Sequence, residues 1–169
     1  MQSEKIIERI VSWLKDYAEK AGVKGYVIGV SGGVDSGVVS TLCAMTGLKV
    51  LALEMPIRQQ KDQASRALEH IDFLKNKFPN VEGFTVDLNE PFEALYKTFD
   101  VKDDEFPAEK LAFANTRSRL RMLTLYYYGQ INGLLVCGTG NKVEDFGIGF
   151  YTKYGDGGVD VSPIADLYK

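Results

Sequence analysis

The fold is decided by the stretch Tyr26-Val27-Ile28-Gly29-Val30-Ser31-Gly32-Gly33-Val34-Asp35-Ser36. Its first five residues form a short, largely β-branched run without polar alternation, which is typical of a strand covered on both faces. The glycine pair lets the backbone approach an anion closely, and the free N–H groups at the start of a following helix favour negative charge. The stretch therefore predicts a buried strand, a phosphate-binding turn and a helix in direct succession.

Outward from this stretch, strands and helices alternate along the chain. Apolar runs predict strands over residues 26–30, 49–55, 83–88 and 133–137, and periodicity or caps predict helices over residues 3–21, 36–45, 62–77, 90–98 and 107–129. Such alternation predicts one parallel sheet with right-handed crossovers and helices on both faces. We therefore predict a single doubly wound α/β domain over residues 1–169, with its ligands at the carboxyl ends of the strands.

Composition excludes several classes of protein. The chain has 169 residues, 45% of them hydrophobic and 25% charged, which is typical of an ordered globular domain. Its net charge of −3 provides no global positive field for nucleic acid. No apolar run is long enough for a membrane span or a signal peptide. Cys43 and Cys137 lie in apolar runs and are expected to be buried free thiols, so we expect a cytoplasmic protein.

The loop after the first strand has a specific chemistry. An acid inside an anion-binding loop would repel phosphate unless a divalent cation lay between them, so Asp35 predicts Mg²⁺ held by carboxylate and phosphate oxygens together. A Walker A ending and a Gly-x-Gly-x-x-Gly turn are both absent, which disfavours P-loop NTPases and ordinary dehydrogenases. One alternative is a plain glycine turn in which Asp35 or Ser36 only caps the helix.

The string Ser31-Gly32-Gly33-Val34-Asp35-Ser36 resembles the signature of the N-type ATP pyrophosphatases, a superfamily with the adenine nucleotide alpha hydrolase-like fold. Three later blocks, 115–122, 135–144 and 150–163, together resemble the ordered signature of the NAD synthetase family. They read Asn-Thr-Arg-Ser-Arg-Leu-Arg-Met, then Leu-Val-Cys-Gly-Thr-Gly-Asn-Lys-Val-Glu, then a stretch containing Tyr-Thr-Lys-Tyr-Gly-Asp-Gly-Gly-Val-Asp. The likeness runs over nearly the whole chain.

The resemblance implies roles for particular residues. It implies that ATP is bound by Gly29, Val30, Ser31, Gly32, Gly33, Val34, Asp35, Ser36, Arg58, Thr139 and Lys169. It further implies that deamido-NAD is bound by Arg119, Arg121, Lys153 and Asp160, and Mg²⁺ by Asp35 and Glu144. Asp156 is implied to hold the incoming ammonium or ammonia, and Lys169, near the ATP phosphates, is implied to be catalytic together with Asp156.

Three further expectations come from the residues themselves. Helical steps of about 100° put Arg117 and Arg121 on one side of their helix and Arg119 nearly opposite, so the three do not form one patch. The glycine-rich segment 147–158 is expected to be a mobile lid. His70, the single histidine, is expected at the surface without a catalytic role.

By resemblance, the expected reaction is ATP-dependent amidation of deamido-NAD through an adenylated carboxylate, with free ammonia as nitrogen donor and with AMP and pyrophosphate released. No glutaminase domain is expected, and a homodimer is implied. Because such synthetases usually continue well past the Pro163 region, we expect the family's C-terminal part to be missing from residues 1–169. Two alternatives remain: another adenylating pyrophosphatase, tRNA-modifying or amide-forming, and an ATP-binding module without turnover.

Overall fold

A computed structural model describes residues 3–59, 61–99 and 106–169 of the chain. Its helices are α1 (Ser3–Ala21), α2 (Val34–Met45), α3 (Lys61–Lys77), α4 (Asn89–Thr98) and α5 (Pro107–Asn132). Its strands are β1 (Gly25–Gly29), β2 (Lys49–Glu54), β3 (Val81–Thr85) and β4 (Leu134–Val136). A π-helical segment, Lys142–Ile148, follows β4.

The four strands form one parallel sheet in the order β3-β2-β1-β4. The chain runs outward from β1 through β2 to β3 and then returns to place β4 on the other side of β1. The topological switch point therefore lies between β1 and β4, where the flanking loops diverge and leave a crevice. Cys137 continues past β4 and pairs with Val161 in an isolated parallel bridge.

Helices cover both faces of the sheet, as the unbroken apolar character of β1 and β2 requires. On one face, α1, α2 and α3 enclose a core around Tyr26, Ile28 and Ala52, and on the other, α4 and α5 pack over Val27 and Leu53. The predicted doubly wound α/β fold is confirmed. Cys43 and Cys137 are both buried and free, as predicted, with their Sγ atoms 3.5 Å apart.

Several helix and strand boundaries in the structure differ from the predicted ones. Helix α2 starts at Val34, two residues earlier than predicted, because Gly33 is its N-cap. Strand β3 spans Val81–Thr85 rather than 83–88, in register with β2. The π-helical segment was not predicted. In the described part of the chain, no helix is long and apolar enough to cross a membrane.

Candidate active site

The loop after β1 closes through its own side chains. The Ser31 amide donates to Ser36 Oγ at 3.2 Å, Ser36 Oγ donates to the Gly33 carbonyl at 2.9 Å, and the Gly33 amide lies 3.3 Å from Ser31 Oγ. Gly32 has a φ of +80°, which glycine adopts without strain. Neither Asp35 nor Ser36 is the helix N-cap, since that position belongs to Gly33, and no side chain caps α2. The start of α2 therefore presents uncapped amides at the carboxyl ends of the strands.

A cavity of about 310 Å³ opens at the switch point between β1 and β4. We call it the switch-point cavity. Its walls come from the ends of three strands, from α5 and from the glycine-rich turn, and they include Gly29, Val30, Ser31, Met55, Gln59, Ser118, Arg121, Met122, Thr139, Asp156 and Val159. Its lining is largely apolar with a few polar groups, which is the usual character of a small-molecule site.

A smaller cavity of about 190 Å³ lies beside the loop, and we call it the acidic cavity. Four carboxylates line it, together with loop and strand-end hydroxyls: Asp35, Glu144, Asp145, Asp156, Ser31, Ser36 and Thr139. Burial, aided by the charges of Asp156 and Glu144, raises the pKa of Asp145. Asp156, Thr139 and Ser31 line both cavities, so the two cavities adjoin each other.

One cation joins the two predicted metal ligands. Lys169 Nζ lies 2.9 Å from Asp35 Oδ2 and 2.8 Å from Glu144 Oε1. Hydrogen bonding to both carboxylates raises the pKa of the Lys169 ammonium. The contact shows that carboxylates from α2 and from the π-helical segment reach a common positive charge.

The same carboxylates satisfy the usual requirements of a magnesium site. Mg²⁺ takes one or two carboxylates and completes its shell with phosphate oxygens and water. Among the described residues no three His, Cys, Asp or Glu side chains lie close enough together to hold a metal ion by themselves, so a site here would need a nucleotide to supply further oxygens. Asp35 and Glu144 therefore fit a cation that arrives with a phosphate chain.

Asn141 fixes the position of Glu144, a role that the sequence analysis missed. Its buried Oδ1 accepts hydrogen bonds from the amides of Val143 and Glu144 at 3.0 and 3.1 Å and caps the π-helical segment. An asparagine just before an acidic stretch is a recognised N-cap signal and could have indicated this role. Asp145 was also missed, because its sequence position alone does not show that it faces the cavity.

The glycine-rich segment, expected to be a mobile loop, forms a compact turn on α5. Gly155 and Gly157 amides both donate to the Thr152 carbonyl, and the Gly158 amide donates to the Gly155 carbonyl. Thr152 Oγ1 donates to Asn115 Oδ1 at 2.9 Å, which ties the turn to the helix. We refer to residues 152–158 as the glycine turn.

The arginines of α5 separate as the helical steps predict. Arg119 is exposed and donates from Nε to the Lys153 carbonyl at 3.2 Å. Arg121 points to the switch-point cavity, donating from Nε to the Met55 carbonyl at 3.0 Å. Burial, with the nearby charge of Arg117, lowers the pKa of Arg121. The two arginines predicted for the dinucleotide therefore occupy different surroundings.

Two further residues that were predicted to bind substrates already have partners within the protein. Arg58 forms a bidentate ion pair with Glu93, at 2.6 and 2.9 Å, and its guanidinium lies 4.5 Å from the ring centroid of Tyr96. It does not line either cavity. Both oxygens of Asp160 also have donors, Tyr126 Oη at 3.0 Å and the Val136 amide at 2.8 Å. Binding roles for Arg58 and Asp160 stay predictions.

His70 is half-buried, contrary to the expected surface position. Its Nε2 lies 2.9 Å from Ser40 Oγ, and that hydroxyl donates to the Ser36 carbonyl at 2.7 Å. The His70 ring lies against Gly37, where a Cβ would come within 3.7 Å of it. The sequence analysis missed this position because the contact joins Ser40 of α2 to His70 of α3, which lie 30 residues apart in the chain.

Comparison with known proteins gives a consistent result. The family model described as NAD synthase matches residues 6–169. The chain is 39% identical over 170 residues to an NH₃-dependent NAD⁺ synthetase of Finegoldia magna, an alignment covering 100% of this chain and 66% of that protein. A relative of the same description from Saccharolobus solfataricus is 40% identical, over 98% of this chain and 56% of that protein. The chain thus spans about two thirds or less of these relatives.

Solved structures agree with the sequence matches. An NMN synthetase from Francisella tularensis superposes with a TM-score of 0.86 at 34% identity, covering 99% of this chain and 66% of that one. An NH₃-dependent NAD synthetase from Campylobacter jejuni superposes with a TM-score of 0.87 at 32% identity, covering 100% and 69%. From its match to the family model and from the identity of its relatives, the chain belongs to the NAD synthase family.

Proposed function

We propose that this chain is a ligase that converts deamido-NAD to NAD, using ATP and free ammonia and releasing AMP and pyrophosphate. The proposal rests on the chain's membership of the NAD synthase family and on the names of its relatives. The structural observation that carries it is the pair of adjoining cavities at the switch point. There a phosphate-type loop meets two carboxylates that share one cation.

The reaction needs activation before amidation. A carboxylate is negatively charged and would have to expel oxide, so ammonia does not attack it directly. In the proposed reaction a nicotinate carboxylate oxygen attacks the α-phosphorus of ATP, and pyrophosphate leaves. The nitrogen of ammonia then attacks the acyl carbon, AMP leaves with the carboxylate oxygen, and the excess proton passes to solvent.

The ATP loop and its neighbours hold the nucleotide in this proposal. The loop from Gly29 to Ser36 surrounds the phosphate chain, which the free amides at the start of α2 would contact, and the Thr139 hydroxyl contacts the nucleotide at the end of β4. Lys169, already beside Asp35 and Glu144, binds the phosphates and stabilises the leaving pyrophosphate. The switch-point cavity accepts the adenosine part of ATP, and Arg121 on its wall would contact deamido-NAD where it enters beside the nucleotide.

Asp35 and Glu144 would hold Mg²⁺ together with phosphate oxygens. When bound, the ion neutralises charge on the pyrophosphate as it leaves. The protein's own part is to keep the two carboxylates within reach of one cation, through the first turn of α2 and the Asn141 cap.

Asp156 holds ammonium where the two cavities join. Its carboxylate is part of both cavity walls, so a cation beside it would lie between the acidic cavity and the nucleotide. Three residues proposed to bind the dinucleotide lie at or near the glycine turn, on the side from which it would approach: Arg119, Lys153 and Asp160.

We further propose a homodimer that works in the cytoplasm, where the two buried thiols would stay reduced.

The direct test incubates the protein with Mg-ATP, deamido-NAD and ammonium chloride and follows NAD and AMP together. NAD and AMP in equal amounts support the proposal. AMP without NAD would indicate another acceptor, and ATP binding without AMP would indicate a binding module.

A parallel reaction identifies the substrate. One solved neighbour is an NMN synthetase, so nicotinate mononucleotide replaces deamido-NAD in a second reaction. Both compounds present the same nicotinate carboxylate, and only the second nucleotide differs. A higher kcat/KM for the mononucleotide would contradict the proposed dinucleotide substrate while leaving the amidation chemistry intact.

A further inference from the structure

Ser118 of α5 makes a reciprocal pair of hydrogen bonds with Asp156. Ser118 Oγ donates to Asp156 Oδ1 at 2.6 Å, and the Asp156 amide donates back to Ser118 Oγ at 2.8 Å. Asp156 Oδ1 also accepts from the Thr152 amide at 2.9 Å. One carboxylate oxygen is thus fixed from two directions, by the helix and by the turn itself.

Packing at this contact is too close for ordinary side chains. A Cβ on Gly155 would come within 2.3 Å of Ser118 Oγ and 2.9 Å of Ser118 Cβ. Gly155 is buried, so the hydroxyl of Ser118 reaches the Asp156 amide only because residue 155 has no side chain. The helix and the glycine turn are therefore fitted to each other at this point.

The other oxygen of Asp156 is left for a ligand. Among the described residues Oδ2 accepts no hydrogen bond, and Asp156 lies on the walls of both cavities. A carboxylate whose first oxygen is fixed has little rotational freedom left, so its second oxygen has a defined direction. This arrangement suits a small cationic donor such as ammonium.

We propose that Ser118 is a positioning residue that holds Asp156 in place for ammonium before the substrates bind. The inference rests on the proposed function, in which Asp156 binds the nitrogen donor. It extends that function by making the ammonium site a preformed part of α5 and the glycine turn, rather than a site assembled on lid closure.

The first test compares three variants of the chain in steady-state kinetics with ammonium chloride as the varied substrate. Ser118→Ala removes both hydrogen bonds, and we expect it to raise the KM for ammonium about five- to tenfold. This is less than the roughly 10- to 100-fold effect of losing a direct hydrogen bond to a charged group, because Ser118 does not itself touch ammonium. The KM values for ATP and deamido-NAD should change less than about twofold, as expected where no contact is lost. Ser118→Thr keeps the hydroxyl and should restore most of the ammonium dependence.

Thr116→Ala is the matched control, because among the described residues the Thr116 hydroxyl bonds only to the Ala112 carbonyl within α5. It should leave the ammonium KM unchanged. If Ser118→Ala lowers kcat alone, or shifts all three KM values equally, the positioning role is wrong.

The second test does not depend on activity. Amide hydrogen exchange of the ligand-free chain, followed by NMR, should show faster exchange at Asp156 in Ser118→Ala than in the unchanged protein. The Gly158 amide, whose acceptor is the Gly155 carbonyl, serves as the internal reference and should change less. Equal exchange at Asp156 in both proteins overturns the inference. Absence of NAD formation by the unchanged protein contradicts only the proposed function, since the exchange result still decides whether Ser118 holds the turn.

Discussion

The Lys169 ammonium lies 2.8 Å from Glu144 Oε1, and the same atom lies 2.9 Å from Asp35 Oδ2. In the ligand-free protein a lysine thus pairs with both carboxylates that are proposed to hold a metal ion. A divalent cation and Lys169 cannot both occupy the space between these oxygens, so the two compete.

Lys169→Met should therefore tighten the binding of Mn²⁺ in the absence of nucleotide and weaken the binding of ATP. Because the ion pairs are exposed, the change in Mn²⁺ affinity should be modest, about two- to fivefold. Electron paramagnetic resonance measures free Mn²⁺ directly, and calorimetry measures ATP binding. Weaker Mn²⁺ binding in the variant would contradict the competition.

Asp35→Asn and Glu144→Gln should each abolish turnover while keeping the fold, because an amide is a poorer ligand for a divalent cation than a carboxylate. The loss in kcat/KM should be about 100-fold or more, as for removal of groups that stabilise transition-state charge. Glu82→Gln, an exposed position beside Lys49, is a control for charge loss on the outer surface. Full activity of both site variants at ordinary Mg²⁺ would show that the metal assignment is wrong.

Gly155→Ala should destabilise the protein by about 1–3 kcal/mol, the usual range for overpacking. Combining it with Ser118→Ala, which removes the nearest atom, should recover part of the loss and give a coupling energy of at least about 0.5 kcal/mol. Urea unfolding of the two single variants and the double variant measures this coupling. Gly147→Ala is the control, since its nearest neighbour to an added Cβ lies 3.6 Å away.

Arg119→Ala and Arg121→Ala should give different results. Arg119 is exposed, so its loss should raise the KM for the dinucleotide with little change in stability. Arg121 is half-buried and donates to the Met55 carbonyl, so its loss should cost about 1–3 kcal/mol of unfolding free energy. Thermal unfolding and substrate kinetics on the same samples separate the two effects. Equal stability losses in both variants would contradict the distinction.

His70 should titrate below the ordinary histidine pKa of about 6.5, because burial disfavours its charged form. The unfolded chain then binds a proton more readily than the folded one between the two pKa values. The contribution of neutral His70 to the free energy of unfolding is therefore at its maximum above pH 6.5. It is lost as the pH falls through the pKa of His70 in the folded protein. The single histidine gives one set of ring C–H signals for NMR titration, and His70→Gln should flatten this part of the pH–stability curve. A midpoint above 6.5 would contradict this prediction.

Much of the fold followed from local signals. The β-branched stretch at 26–30 and the alternation of strands and helices correctly predicted a parallel sheet with helices on both faces. These signals work because a strand buried on both faces must be apolar throughout and a phosphate-type turn needs glycine. The predicted ends of β3 and the predicted start of α2 were wrong, because pairing with β2 and the Gly33 cap set them.

What the sequence by itself determined was the order of strands and helices, the loop Ser31–Ser36 and the family resemblance, because each depends on neighbours along the chain. The tertiary structure alone decided that Arg58 pairs with Glu93, that Ser118 holds Asp156 and that Lys169 joins Asp35 to Glu144. These pairs are separated by 25 to 134 residues, so no local pattern contains them. They form because the crossovers of the sheet bring distant segments to the same carboxyl edge, where direction and distance of each side chain decide its partner.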